Sequence, residues 1–88
     1  MKSCYIIAFE LSPGLDYSGL EEAIRSYGTW ARITETCWAV VTESKAKEIR
    51  DHLKDAIGPK DRVFVLKSAT GAAWSNVRCR NEWLKKNL

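Results

Sequence analysis

An α+β domain built on a four-stranded antiparallel sheet is the fold the sequence predicts, and three observations carry that expectation. Hydrophobic periodicity switches along the chain in the order strand, helix, strand, strand, helix, strand. The first and third strand-like runs are apolar on both faces, as central strands are. The 88 residues are 45% hydrophobic and 28% charged, which places the chain with globular proteins and gives it material for one core only. A single domain over residues 1–88 follows.

The first strand is expected over Cys4 to Leu11, an apolar run closed by Ser12-Pro13-Gly14. Ser18-Gly19-Leu20-Glu21 then reads as a capping box. Leu20, Ala23, Ile24 and Tyr27 fall at i, i+3, i+4 and i+7, so a first helix of about ten residues runs to Gly28. Thr29 to Thr34 and Cys37 to Thr42 are strands separated by so few polar residues that only a hairpin can join them. Ser44 can cap a second helix whose stripe is Ala46, Ile49, Leu53, Ala56 and Ile57, ended by Gly58-Pro59. Arg62 to Lys67 supplies the fourth strand. After a small-residue loop at Ser68 to Ala73, the tail from Val77 to Leu88 reads as a short C-terminal helix carrying Trp83 and Leu84.

Two right-handed strand–helix–strand halves place the first and third strands at the centre of the sheet, the ferredoxin-like (βαββαβ) arrangement, with residues 76–88 as a helical extension. Arg32 in the second strand, and Arg62 with Lys67 around the fourth, suit edge strands. Both long helices can cover only one face. A second copy of the chain or the C-terminal helix must therefore cover the other.

Three cysteines without CxxC spacing and a single histidine, His52, exclude a disulfide framework and a zinc cluster and imply a reducing, cytoplasmic setting. The apolar start is too short for a membrane span or an export signal. His52 has no Ser, Cys or Asp at an informative spacing, so no nucleophilic triad is expected. Thr70-Gly71-Ala72-Ala73 lacks a phosphate-loop pattern.

Two features remain for chemistry. Glu10 is a carboxylate at the end of a central strand, where sites often sit. It either emerges into water or, across a two-fold axis, meets its own mate so that two carboxylates hold a Mg²⁺. The second feature is charge. Residues 1–73 hold ten basic and ten acidic side chains, so the net +3 comes from Arg78, Arg80, Lys85 and Lys86 less Glu82. With Trp74 and Trp83 interleaved, Arg78 and Arg80 can contact phosphates while an indole stacks on a base. Equally, Lys85 and Lys86 can serve the helix dipole and Trp83 the core.

The first strand ending in a carboxylate, the hairpin with Thr36-Cys37-Trp38, the helix from Ala46 to Leu53, the strand Asp61 to Leu66 and the Gly71-Ala72-Ala73-Trp74 loop carry a resemblance. Over nearly its whole length the chain resembles the small SinR-like proteins, which are similar to the smaller spacer-acquisition subunit of CRISPR systems and more distantly to VapD-type ribonuclease toxins. The resemblance implies a homodimer, contact with nucleic acid, and a metal-linked acidic residue at Glu10, where the CRISPR pattern has Asp. It also carries an upstream arginine of that pattern onto Arg32, and a Ser-x-Phe element onto Thr36-Cys37-Trp38. The expectation is thus a non-catalytic dimeric interaction module, with Arg78, Arg80 and Arg32 as nucleic-acid contacts and no cofactor. The alternative is a Mg²⁺-dependent endonuclease using paired Glu10 carboxylates.

Overall fold

Alternation along the first strand decides which side of the sheet becomes the core. In the computed structural model, which describes residues 2–13, 17–69 and 71–88, strand β1 (Ser3–Glu10) turns Tyr5, Ile7 and Phe9 to one side. Helices α1 (Ser18–Arg25) and α2 (Ala46–Lys54) pack there. Leu20, Ile24, Ile49 and Leu53, all fully buried, join Trp38 and Val40 of β3 (Cys37–Thr42) in one cluster. Strands β2 (Thr29–Thr34) and β4 (Arg62–Lys67) complete the sheet, and α3 (Asn81–Asn87) ends the chain. Gly14 of the expected loop signal and Thr70 of the small-residue loop lie outside the described residues.

The sheet has the order β2-β3-β1-β4 with all pairs antiparallel, so the two strands that are apolar on both faces occupy the centre. The β1–β4 register sets Glu10 opposite Arg62 and Tyr5 opposite Lys67. Ser68 N–H bonds the Cys4 carbonyl at 2.9 Å, extending this ladder by one residue.

Helix ends depart from the sequence expectation. Ser18 is the first residue of α1, not its cap; the Tyr17 carbonyl accepts the N–H groups of Leu20 and Glu21 at 3.0 and 3.2 Å. The helix ends at Arg25, with Ser26 as its cap, and Gly28, at φ 87°, makes the turn into β2. Lys45, not Ser44, precedes α2, and its N–H is held by the Glu48 carboxylate at 2.8 Å. The C-terminal helix is shorter than the expected 77–88 because residues 77–80 lie outside it, as a strap on the sheet edge.

On the side away from α1 and α2, Cys4, Ala31 and Ala39 share a face by register and are nonetheless buried, Ala39 completely. None belongs to the helix-side cluster. Leu84 of α3, 1% exposed, is the one large fully buried side chain outside that cluster and is available to cover them. The tail therefore covers this face over β2, β3 and the start of β1, while Phe64 and Leu66 of β4 stay 60% and 52% exposed. Truncating Leu84 to Ala is expected to lower the unfolding free energy by about 2–5 kcal/mol, measured by urea titration. A loss within about 0.5 kcal/mol, the surface-substitution range, would contradict this docking.

Candidate functional site

A bulge shapes the outer edge of β2. Arg32 stands opposite Trp38 and Thr34 opposite Cys37, so Ile33 is the extra residue. Its carbonyl accepts the N–H of Arg78 at 2.9 Å and fastens the tail to this edge. Arg80 is extended, at φ −74° and ψ 137°, and the chain bends at Arg78 and Cys79, leaving both arginines exposed and Cys79 half-buried. Between tail and strand lies a cleft of about 250 Å³ lined by Arg32, Arg78 and Arg80 with Trp30, Trp83 and the small residues Ala31 and Cys79. The three arginines singled out from the sequence thus line one cleft, Arg32 from the helix side of β2. Trp83 lines this cleft half-buried, whereas Leu84 takes the buried position.

The cleft wall continues into a stack of rings and cations. Trp30, 38% exposed, leans on the fully buried Trp38 at 5.3 Å between ring centroids. The Arg25 guanidinium lies 5.4 Å from both indole centroids, and that of Arg32 lies 5.4 Å from Trp38. Glu21 stands 3.8 Å from Arg25 and 3.9 Å from Arg32, loose contacts between partly solvated groups. Two buried donors, Arg32 Nε and Trp38 Nε1, have no acceptor among the described residues. Unmet donors of this kind are uncommon in inert cores.

Trp74 is not part of the cleft lining; its indole N–H donates to Asn81 Oδ1 at 3.1 Å and braces the approach to α3. Trp30 takes the place expected for it. Nothing in the local sequence marks Trp30, because only the return of the tail to β2 makes it a wall.

Glu10 stands on β1, two strands in from β2, where its Oε1 accepts from the Arg62 guanidinium directly across the ladder. Both side chains are largely exposed. Among the described residues no group of three or more His, Cys, Asp or Glu is placed to hold a metal. His52 is an exposed surface residue whose Nδ1 lies 2.8 Å from the Tyr27 hydroxyl. Burial pushes the thiols of Cys4, Cys37 and Cys79 above their ordinary range, away from the reactive thiolate. No helix among the described residues is long and apolar enough to cross a membrane.

The most heavily bonded carboxylate is one that the sequence did not mark. Asp61 Oδ1 accepts the Ser12 N–H at 2.7 Å and the Tyr17 hydroxyl at 3.0 Å, and Oδ2 accepts the Gly58 N–H at 2.8 Å. Burial pushes its carboxyl upward, but the Gly58 and Ser12 amides and the Tyr17 hydroxyl outweigh that and hold it below the usual range. The same bond, after burial, raises the Tyr17 hydroxyl. Asp61 ties the two flanks of the β1–α1 connection to the end of α2, a structural clamp. Because the folded value lies below the unfolded one, its stabilisation is complete above about pH 4 and is lost as pH falls through the folded value. Asp61→Asn is expected to lower the urea midpoint at neutral pH and to flatten its fall below about pH 4; an unchanged acid limb would contradict the clamp. Comparison with models of known protein families, with curated proteins and with solved structures gives no match.

Proposed function

We propose that the chain is a non-catalytic, homodimeric module of SinR-like type that binds single-stranded nucleic acid along the β2 edge. The ferredoxin-like arrangement belongs to the same reading: the element order and the strand order β2-β3-β1-β4, with β1 and β3 central, support it. The observation that carries the function is the meeting of Arg32, Arg78 and Arg80 in a cleft walled by Trp30 and Trp83.

Each part of that cleft has a matching part in a nucleotide. Guanidinium groups bind phosphate oxygens through two parallel N–H bonds and release counterions as they do so. Indole faces stack on bases with little regard to sequence. A base in a duplex has its faces already occupied, so an indole wall favours an unpaired strand. At about 250 Å³ the cleft falls below the range of enclosed ligand pockets, which suits one planar group at a time rather than a whole cofactor. Glu10 is not among the residues that line this cleft.

Fluorescence anisotropy with labelled RNA and DNA oligonucleotides tests the reading. Affinity is expected to fall as salt rises, and Arg78→Ala with Arg80→Ala to reduce the logarithmic salt slope by about 1.4, at about 0.7 for each phosphate contact on a single strand. Trp30→Ala, at an exposed position, is expected to cost about 1–3 kcal/mol of binding without loss of folding. Absence of binding at low salt, or binding that all three substitutions leave unchanged, would overturn it.

A further inference from the structure

The two edges of the sheet are treated differently by the chain. The β2 edge receives its own tail through the Ile33 carbonyl, whereas at the β4 edge no described residue bonds the outward main chain. Which groups face outward follows from the ladder. Ser68 N–H bonds the Cys4 carbonyl directly opposite, so Ser68, Leu66, Phe64 and Arg62 turn their polar groups toward β1. Val63, Val65 and Lys67 turn theirs to solvent. The same strand exposes Phe64 and Leu66, the two most exposed large hydrophobics among the described residues, on the face away from the helices. An edge that is unpaired and apolar at once is a template for another strand.

We infer that this edge takes β4 of a second copy, antiparallel about a two-fold axis, making one continuous sheet across the dimer. The inference rests on the homodimeric part of the proposed function and assigns its interface; the nucleic-acid cleft lies at the opposite edge. Self-pairing selects a register. With Val65 opposite its own mate, Val63 stands opposite Lys67, and every outward N–H and C=O of these residues finds a partner. On the exposed face Phe64 then meets Leu66 of the second copy and Leu66 meets Phe64, closing the apolar patch on itself. Arg62 falls opposite Ser68, so no like charges are opposed along the ladder. A shift of two residues, Val63 opposite Val65, strands the polar groups of Lys67 and sets Leu66 against Arg62. On the helix side, Lys47 and Arg50 of α2 overhang this edge beside Val63 and Val65. Two copies bring those cations together, so the dimer tightens as salt rises, the reverse of nucleic-acid binding. The contact is small, and dimer is expected to dominate only at submillimolar concentration.

Sedimentation equilibrium of the full chain and three variants tests this. Val65→Pro removes an outward N–H and leaves the ladder to β1 intact, a change edge strands tolerate, and is expected to abolish the dimer with an unchanged circular dichroism spectrum. Phe64→Lys with Leu66→Lys, at positions already exposed, is expected to do the same. Val65→Cys is expected to form a disulfide-linked dimer under mild oxidation, since the two residues stand at bridging distance, while the parent chain with Cys4, Cys37 and Cys79 does not. A dimer that survives Val65→Pro and is not trapped by oxidation of the Val65→Cys variant overturns the edge interface alone. A chain monomeric at submillimolar concentration and high salt overturns the interface and the dimer together.

Discussion

Two helices and four strands leave one face of the sheet without a cover, and that imbalance governs the rest of the molecule. Because α1 and α2 both pack on Tyr5, Ile7, Phe9, Trp38 and Val40, the other face of β1 and β3 has to be shielded by whatever chain follows β4. The tail achieves this over only part of the width. It covers the β2 side, where Ala31 and Ala39 are buried, with Leu84 the buried side chain it supplies. The β4 side keeps Phe64 and Leu66 in water. A single shortage of cover thus yields two different edges, one roofed and basic, the other bare and apolar.

The basic edge is consequently a joint product of sheet and tail. Trp30 and Arg32 come from a strand fixed by its pairing to β3, and Arg78, Arg80 and Trp83 come from a segment fastened by the bond to Ile33 and by the burial of Leu84. Trp38 supports the strand half from beneath, with Arg25 and Arg32 over its ring. In the proposed reading this division couples stability to nucleic-acid binding. Loosening the tail separates the two sets of arginines, although neither set is lost from the chain, whereas damage to the helix-side core removes the platform itself. Asp61 has a separate task and secures the connection from β1 to α1 through its bonds to Ser12, Tyr17 and Gly58.

The strands were legible because their signals are local. Thr29–Thr34, Cys37–Thr42 and Arg62–Lys67 are β-branched and aromatic runs bounded by polar or glycine stops, and they form as read. The central position of β1 and β3 was equally legible, since only interior strands are apolar on both faces. Helix ends were less so: Ser18 and Ser44 have the chemistry of caps, but backbone carbonyls and Glu48 supply the bonds instead. The tail misled most. Residues 77–80 have no strong period, and their placement depends on a carbonyl freed by a bulge more than forty positions earlier in the chain. For the same reason Arg78 and Arg80 could be marked by charge, while Trp30 as their neighbour could not. Asp61 escaped notice because two of its partners, Ser12 and Tyr17, lie 49 and 44 residues away.

The central claim is that Trp30 and Trp83 form the walls of one binding cleft. Four tryptophans give four separable indole N–H resonances, which makes a two-dimensional ¹H–¹⁵N titration with a short single-stranded oligonucleotide the most direct measurement. Binding at the β2 edge predicts that the Trp30 and Trp83 signals shift together and saturate at one concentration, with the Arg32, Arg78 and Arg80 amides following the same curve. Perturbation centred instead on Glu10, Arg62 and Phe64, with Trp30 and Trp83 unmoved at saturation, would contradict it.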